Sequence, residues 1–302
     1  MESVVHQTHT IISSDKKELD YKASHSGLID IHNIHKMSVG TLPSVLTSDH
    51  VTNNIIKKGA KIFIPKGISV QRYTPEKNLP FINRMVEAGI LQKTRHKPLN
   101  TIALFAVPKS DPRNPRMIMD FKPFTKLTNA PKFQLPNINK LILKSQPHDH
   151  MIKFDLINVF FHIPLDPKTS NLFGIKCQNN YYKITKLPQG LSVSPYIMQR
   201  VITSIIISLL SEINIRFLIY LDDILLLGPP SELEKAKLIL LSSSFLFNLT
   251  KYVFVRRRII SYLGVNINLD KETLSLTKTF VPKVVTEMIK GNTLLPNVIN
   301  KD

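Results

Sequence analysis

The sequence contains a single cysteine, Cys177, and no long uninterrupted apolar run. One cysteine excludes a disulfide framework and a cysteine-rich zinc site, and it is compatible with a reducing intracellular environment. The longest apolar stretches, such as VITSIIISLL, fall well short of the roughly 20 residues that span a bilayer. The N-terminal residues also lack a basic segment followed by an apolar core. The sequence therefore predicts a soluble chain without a signal peptide.

Acidic residues are also scarce. The chain has 40 Lys and Arg against 22 Asp and Glu, which gives a formal net charge of +18 and a pI of about 9.9. Such an excess favours a polyanionic partner, either a nucleic acid or an anionic membrane surface. Because no stretch is long enough to enter a bilayer, nucleic acid is the better candidate. The 43% hydrophobic content excludes a disordered chain.

The first 60 residues are polar and hold six of the ten histidines. Spacings such as His32–His35 leave metal binding open in this segment. No cysteine supports a zinc site there, so a flexible or loosely packed extension is the favoured interpretation. From about residue 61 onwards, the patterns of helices and strands become stronger.

The remaining chain combines short β-like runs with helical patterns. NTIALFAVPK with PRMIMDF predicts a hairpin, as does NLFGIKCQNNYYKITKLPQG, and RFLIYLDDILLLG predicts two strands around a tight turn. SPYIMQRVITSIIISLLSEI predicts a deeply buried helix. SELEKAKLILLSSSFLF predicts another helix, in which Ser231 and Glu234 resemble a capping box. IISYLGVNINL predicts a final pair of strands. Mixed elements in this order indicate an α+β domain.

Two adjacent aspartates, Asp222 and Asp223, interrupt the apolar run FLIYLDDILLLG. On a continuous strand they would point to opposite faces and bury one charge alone, which is costly. A hairpin turn would place both near one exposed tip, and aspartate is common in turns for local reasons. This turn has no Gly or Asn for the usual two-residue loop. A bound divalent cation therefore explains the pair better than turn chemistry does.

A third aspartate, Asp155, follows another β-like run, 67 residues before Asp222. If the two strands are neighbours, Asp155 and Asp222 converge on one site. Two Mg²⁺ or Mn²⁺ ions about 3.5–4 Å apart, bridged by such carboxylates, support in-line nucleotidyl transfer. One ion would lower the pKa of the attacking hydroxyl, and the other would neutralise the triphosphate and its leaving group.

Five motifs occur in a fixed order along the chain: NTIALFAVPKSDPRNPRMIMDF, FDLINVFFHIPL, LPQGLSVSPYIMQ, YLDDILLLG and SYLGV. Over roughly residues 70–268 they resemble the fingers and palm of reverse transcriptases. The retroviral and LTR-retrotransposon branch fits best, and FFHIPL and PKFQLPNINKL are also similar to the hepadnavirus-like branch. The resemblance implies an α+β right-hand polymerase fold with a short or truncated thumb. It divides the chain into a polar extension (1–60), fingers and palm (61–268) and a partial thumb (269–302).

The resemblance also implies roles for the carboxylates. Asp155, Asp222 and Asp223 match the catalytic metal ligands of the family, with Asp223 the least directly engaged. The backbone carbonyl of Leu156 matches a further metal contact. Phe160 matches the aromatic residue under the incoming sugar, where a ring leaves no room for a 2′-hydroxyl. Retroviral members often have tyrosine at that position, so Phe160 is a mild departure. Without the motifs, Phe160 would be read as a core aromatic.

Other positions are implied in the same way. Lys109 and Arg116 match the basic pair that grips the triphosphate, although basic residues on a turn are usually only solvated. Gln189 and Gly190 match residues that pack against the incoming nucleotide and template base, and Lys251 resembles a lysine that protonates pyrophosphate. The positions near the primer and template are Tyr220, Leu221, Tyr262, Leu263 and Gly264.

The expected ligands are an RNA or DNA template–primer and dNTPs, with the surplus Lys and Arg lining the groove. Cytoplasm, nucleus and virus-like particle are equally compatible locations, and no membrane partner is expected. Two alternatives stay open: an RNA-directed RNA polymerase that shares the palm, and a non-catalytic nucleic-acid-binding relic of a retroelement. Phe160 and LPQG argue against the RNA polymerase. About 35 residues follow SYLGVNINL, which is room for one or two thumb helices and not for an RNase H domain.

Overall fold

The structure is a computed structural model of the 302-residue chain. It describes residues 37–107, 116–125, 127–128, 131, 138, 141, 145–248 and 253–277, excluding the side chains of Arg116 and residues 253–257. These residues form two compact units. The first takes its described residues from 37–41, 50–132 and 160–198, and the second from 42–49, 133–159 and 199–277.

The elements are numbered along the chain. The helices are α1 (His50–Lys58), α2 (Leu79–Glu87), α3 (Pro167–Ser170), α4 (Ser194–Leu209) and α5 (Pro230–Leu241). The strands are β1 (Leu91–Thr94), β2 (Asn100–Ile102), β3 (Leu104–Val107), β4 (Arg116–Met119), β5 (His150–Asp155), β6 (Phe173–Cys177), β7 (Asn180–Ile184), β8 (Arg216–Tyr220), β9 (Asp223–Gly228), β10 (Val253–Arg257), β11 (Ile259–Tyr262), β12 (Val265–Asn268) and β13 (Thr273–Leu276). In the described part of the chain, no helix combines the length and apolar character that a bilayer crossing requires.

The first unit is built around a four-stranded sheet with the order β1-β7-β6-β2. Strand β2 runs parallel to β6, and the other neighbours are antiparallel. Helix α2 contacts β1, and the chain leaves this helix at Gly89, whose φ of 68° is the left-handed conformation that commonly ends helices. A separate hairpin pairs β3 with β4. Phe173 of β6 packs edge to face against Phe121 and Phe124, and the three ring centres are 5.2–6.1 Å apart.

Part of the segment predicted as a polar extension is folded into the first unit. Helix α1 buries two side chains, and after it Ala60 pairs with Leu165. The Ala60 amide donates to the Pro164 carbonyl at 2.7 Å. Gly59 permits this approach, because its φ is 86° and an added Cβ would lie 2.4 Å from the Leu165 carbonyl carbon. Residues 50–60 are therefore packed, and the domain boundary at residue 60 remains a prediction.

The second unit carries a four-stranded antiparallel sheet with the order β10-β5-β9-β8. Helix α5 contacts the two central strands, β5 and β9. A three-stranded sheet, β11-β12-β13, packs against the four-stranded sheet through one buried cluster. The members of this cluster include Met151, Leu218, Leu225, Leu227, Ile260, Tyr262, Ile267 and Leu269.

Most of the predicted elements are present, and two details differ. The hairpins, the long helix and the β11–β12 pair are confirmed. The capping box is wrong, because Ser231 lies inside α5 and no side chain caps that helix. Pro229 and Pro230 begin the helix instead, and proline suits the first turn because its missing N–H has no partner there anyway. Strand β13 was not predicted and lies in the segment assigned to the thumb, whose residues 278–302 are outside the described ranges.

We expect Gly59→Ala to lower the free energy of unfolding more than Gly67→Ala does. Both glycines have positive φ values, 86° and 84°, so both substitutions strain the backbone similarly. Only at Gly59 would the new Cβ collide with backbone atoms, which costs about 1–3 kcal/mol more; nothing lies within 4 Å of a Cβ at Gly67. Urea unfolding of the two variants measures the difference, and coincident midpoints would contradict the close crossing at Leu165.

Candidate active site

Two strand ends bring the three aspartates together. Strand β5 pairs with β9 so that Asp155 lies opposite Asp223. The Leu156 amide, one residue beyond the strand, donates to the Asp222 carbonyl at 2.9 Å. Residues 221–222 form the turn between β8 and β9, and Tyr220 lies opposite Asp223 across it. The predicted adjacency of the two strands is therefore confirmed, and it places Asp155 next to the aspartate pair at a hairpin tip. A shared metal site stays a prediction.

The three carboxylates lie in different surroundings. Asp155 is 7% exposed, and one of its carboxylate oxygens accepts a hydrogen bond from Asn248 Nδ2 at 3.2 Å. The Asn248 amide also donates to the Asp155 carbonyl at 2.7 Å. Asp223 is half-buried, with Oδ1 3.3 Å from Lys153 Nζ. Asp222 is exposed at the tip. Asp155 is therefore fixed in orientation, and Asp222 is the carboxylate that the turn presents to solvent.

Tyr262 supports the aspartates from within the core. Its side chain is fully buried, and its hydroxyl donates to the Asp223 carbonyl at 3.0 Å, with the Leu218 carbonyl at 3.4 Å. Burial raises the pKa of Tyr262, and the negative charges of Asp223 and Asp222 raise it further. The tyrosine therefore remains a neutral donor. Because Tyr262 is fully buried, it contacts the aspartate segment through the main chain of β9, and the role near the primer that the resemblance implies for it stays a prediction.

Leu263 and Gly264 lie beside Tyr262 in the turn between β11 and β12. Their φ values are 49° and 82°, and both residues are partly exposed. The Thr277 amide donates to the Gly264 carbonyl at 2.8 Å, which ties the end of β13 to this turn. The primer contacts predicted for Leu263 and Gly264, and those for Tyr220 and Leu221, stay predictions.

Gln199 of helix α4 holds the aspartate turn. The Leu221 amide donates to Gln199 Oε1 at 2.7 Å, and Gln199 Nε2 donates to the Ile219 carbonyl at 2.8 Å. Leu221 has a φ of 55°, a left-handed conformation that is unfavourable for a residue with a Cβ. The turn contains no glycine to relieve this strain. The amide side chain of Gln199 thus compensates for a costly backbone conformation at the tip.

Sequence reasoning missed Gln199 and Asn248. Gln199 is the last letter of LPQGLSVSPYIMQ, but no feature of that motif showed that its side chain would reach the backbone of residues 219 and 221. Asn248 stands in the short run FLFNL without any periodic signal. Hydrogen bonds between a side chain and a residue distant in the sequence leave no spacing pattern, so only the folded chain reveals them.

Three of the predicted nucleotide-binding residues in the first unit, Phe160, Gln189 and Gly190, are fully described. Phe160 lies in a 3-10 helix (Val159–His162), partly exposed between the buried Val159 and Phe161. Gln189 is partly exposed, and Gly190 is exposed with a φ of 94°. A Cβ on Gly190 would lie 3.0 Å from the Met119 carbonyl oxygen. The positive φ and the tight contact with the backbone both explain why this position of LPQG is a glycine.

The remaining predicted positions are Lys109, Arg116 and Lys251. Lys109 and Lys251 lie outside the described residues. Arg116 opens β4 and pairs with Val107 through its main chain, and its side chain lies outside the description. Their roles at the triphosphate and as a general acid stay predictions.

The donor set suits a cation that brings its own ligands. Within the described ranges, no group of three or more His, Cys, Asp or Glu side chains is arranged so that it could hold a metal ion. The aspartates are therefore not a closed cage. Mg²⁺ is usually held by one or two protein carboxylates, with waters and substrate phosphates completing its octahedron. Asp155 and Asp222 lie at neighbouring strand ends and are carboxylates of that kind, while Lys153 lies beside Asp223.

Sequence comparison places residues 107–267 in the family model described as reverse transcriptase (RNA-dependent DNA polymerase). Protein P of heron hepatitis B virus is 29% identical over 167 residues, which is 54% of this chain and 19% of that protein. The retrovirus-related Pol polyprotein from transposon 412 of Drosophila melanogaster is 26% identical over 192 residues, 61% of this chain and 15% of that protein. The chain thus spans about a fifth or less of the length of these relatives.

Structural comparison gives the same type of fold. The foamy viral protease–reverse transcriptase in complex with double-stranded DNA aligns with a TM-score of 0.61 and 18% identity, covering 96% of this chain and 59% of that one. A second structure, with an RNA/DNA hybrid, has a TM-score of 0.57 and 20% identity, covering 90% of this chain and 35% of that one. The predicted α+β polymerase fold is confirmed.

We expect Gln199→Ala to loosen the aspartate turn. The Leu221 amide and the Ile219 carbonyl would each lose a partner, which lowers the free energy of unfolding by about 1–3 kcal/mol. Amide hydrogen exchange measured by mass spectrometry should accelerate in peptides covering residues 217–228. Gln92→Ala removes an exposed glutamine from β1 and serves as the matched control. If both variants exchanged like the wild type in this segment, Gln199 would not be what holds the turn.

Proposed function

The chain belongs to the reverse transcriptase (RNA-dependent DNA polymerase) family, and we propose that it extends a primer on an RNA or DNA template with dNTPs. One observation carries this proposal: the β5–β9 register places Asp155 opposite Asp223 and beside Asp222. Carboxylates at adjacent strand ends are what metal-assisted phosphoryl transfer requires of a protein. The foamy viral enzymes with the same fold are described in complexes with double-stranded DNA and an RNA/DNA hybrid, which supports a template–primer as the ligand.

Asp155 and Asp222, together with the Leu156 carbonyl, would hold Mg²⁺ or Mn²⁺ in this proposal, with two ions present. When bound, the ions supply Lewis-acid activation of the primer hydroxyl and neutralise charge on the triphosphate. The chain's own residues supply the positioning. Asn248 orients the Asp155 carboxylate, and Gln199 fixes the turn that carries Asp222. Such pre-organisation matters because small misplacements of reacting groups cost large factors in rate.

Nucleotide selection is assigned to the first unit. Phe160 would lie under the incoming sugar, and its partly exposed ring, between two buried neighbours, agrees with a contact that faces away from the core. Gln189 and Gly190 would pack against the nucleotide and the template base. Lys109 and Arg116 would bind the triphosphate, Arg116 through a bidentate contact and Lys109 as a point charge.

We expect Asp222→Asn to abolish primer extension while the chain remains folded. The carboxylate is exposed, so its replacement removes a metal ligand without disturbing the core. The assay is extension of a DNA primer on a heteropolymeric RNA template with Mg²⁺ or Mn²⁺, with a thermal melt of the same preparation. Glu212→Gln, also at an exposed carboxylate, is the matched control. Unchanged extension by Asp222→Asn would overturn the mechanism, and a wild-type chain that binds RNA but extends nothing would favour a non-catalytic relic.

We expect Phe160→Ala to admit ribonucleotides. Removing the ring opens space for the 2′-hydroxyl, so the preference for dNTPs over NTPs should fall by roughly tenfold or more, the scale of about 1.4 kcal/mol. Single-nucleotide incorporation with each substrate measures this ratio. Phe160→Tyr keeps the ring and should keep the preference. An unaltered ratio in Phe160→Ala would remove the residue from sugar selection, and a wild type that prefers NTPs would indicate an RNA polymerase.

A further inference from the structure

The sheet of the first unit carries several basic residues, and its four strands contain no acidic residue. Arg95, Lys97, Lys176 and Lys183 lie on strands β6 and β7 and on the loop between β1 and β2; together they are called the cationic face. No Asp or Glu occurs from residue 88 to 110 or from 167 to 211. These two stretches contain all four strands of the sheet. The charge on this face is therefore not balanced by its own strands.

The strand register shows that these side chains share one side of the sheet. Gly174 lies opposite Lys183, and Lys176 lies opposite Tyr181, so the residues at 174, 176, 181 and 183 point the same way. The loop before β2 covers the same side, because a Cβ on Gly174 would lie 2.3 Å from Pro98 Cγ. Arg95 and Lys97 of that loop are both exposed. Lys176 and Lys183 thus lie on one side of a hydrogen-bonded sheet, and the loop that carries Arg95 and Lys97 covers the same side.

These cations differ from most of the described arginines in their partners. Arg72 pairs with Asp120, Arg200 with Asp49, and Arg216 with Asp149. Among the residues that the structure describes, no member of the cationic face forms an ion pair with a carboxylate. Lys176 lies instead over the ring of Tyr181, 5.9 Å from its centre. At the tip of the β6–β7 hairpin, Gln178 Nε2 donates a hydrogen bond to Glu76.

An open apolar hollow adjoins the cationic face. Its volume is about 340 Å³, and Phe63, Pro65, Ile68, Leu99 and Leu172 contribute to its lining. Phe63 is 84% exposed and Leu99 is 51% exposed. Leu99 follows Lys97 and Pro98 directly, so the same loop supplies both the cations and one wall of the hollow. Phe63 and the loop that carries Arg95 and Lys97 thus meet at one hollow, and proteins bind unpaired bases and their phosphates by combining exposed aromatic rings with cations.

We propose that this surface binds single-stranded RNA or DNA, with phosphates on the cationic face and a base stacked against Phe63 in the hollow. The inference rests on the proposed function for the class of ligand, since a polymerase of this family uses a template strand. It goes further by assigning a binding surface that takes no part in the chemistry. Single strands are favoured over duplexes because only an unpaired base exposes a face for stacking.

The test is binding of a fluorescein-labelled 20-nucleotide oligouridylate, measured by polarisation without metal or dNTPs. Arg95→Gln/Lys97→Gln/Lys183→Gln should weaken binding by about tenfold or more near 0.1 M salt, and should flatten the log–log salt slope by about 2, because each single-strand phosphate contact contributes roughly 0.7. Lys57→Gln/Lys58→Gln/Lys168→Gln removes the same charge from exposed positions of the first unit. An equal loss in both triple variants would overturn the proposal.

A second variant tests the stacking part. Phe63→Ala should weaken binding of the single strand by about fivefold or more and leave binding of a matched duplex unchanged, as expected for loss of one base–aromatic stack. Because Phe63 is so exposed, the variant should keep the wild-type melting temperature. Equal binding of the oligouridylate by wild type and Phe63→Ala would overturn the base site.

A third experiment measures binding to phosphatidylserine vesicles. If vesicle binding depended on the cationic residues while RNA binding were unaffected by the triple substitution, the cationic face would be assigned to a membrane surface instead.

The proposed polymerase activity and the proposed single-strand binding surface can be tested independently of each other. Asp222→Asn should bind the oligouridylate as the wild type does, because the aspartate turn contributes no cation. A chain that binds RNA through the cationic face but extends no primer would overturn the polymerase activity and leave this inference standing. The opposite outcome is normal primer extension by the wild type together with wild-type RNA affinity in Arg95→Gln/Lys97→Gln/Lys183→Gln. That outcome would overturn this inference alone.

Discussion

The pairing of β5 with β9 is the constraint on which the site depends. This ladder sets Asp155 opposite Asp223, and it aligns the main chain so that Leu156 bonds to Asp222 and Asn248 bonds to Asp155. A slip of one residue would turn every side chain of one strand to the other face. Asp155 would then leave the aspartate pair, and Phe154 would lose its packing on Phe247, with ring centres now 5.3 Å apart. Apolar packing and carboxylate placement therefore enforce the same register.

The sequence predicted the strands and the aspartates better than it predicted what holds them. An isolated charge in an apolar run is informative, because burial without a partner is costly, and Asp155 and Asp222 were found by that reasoning. Gln199 was not, because its bonds join a helix to a turn that follows later in the chain. The burial of Tyr262 arises from sheet packing, which no local pattern encodes. Ser231 was misread because two prolines begin the helix that a capping box would have started.

The charge of the chain is distributed in two distinct ways. In the second unit, Arg200 binds Asp49 through two 2.8 Å contacts, and Arg216 pairs with the buried Asp149. Such pairs are structural, since removing one partner would leave a partly buried charge uncompensated. In the first unit, Arg72 pairs with the buried Asp120 in the same way, whereas the sheet carries cations on strands that contain no carboxylate. A high pI therefore does not by itself locate a binding surface. The proposal of a polyanionic ligand rests on where the unpaired cations lie.

The left-handed backbone at Leu221 limits which side chains the tip of the hairpin can carry. Branching at Cβ makes a positive φ much less favourable, so valine or isoleucine there would strain a turn that leucine already strains at 55°. Glycine would relieve the strain but would also widen the conformational range of the loop. The variation open to this position is thus narrowed by backbone geometry before any ligand is considered. Of these changes, only glycine would ease folding of the turn, and it would hold the neighbouring carboxylate less firmly in place.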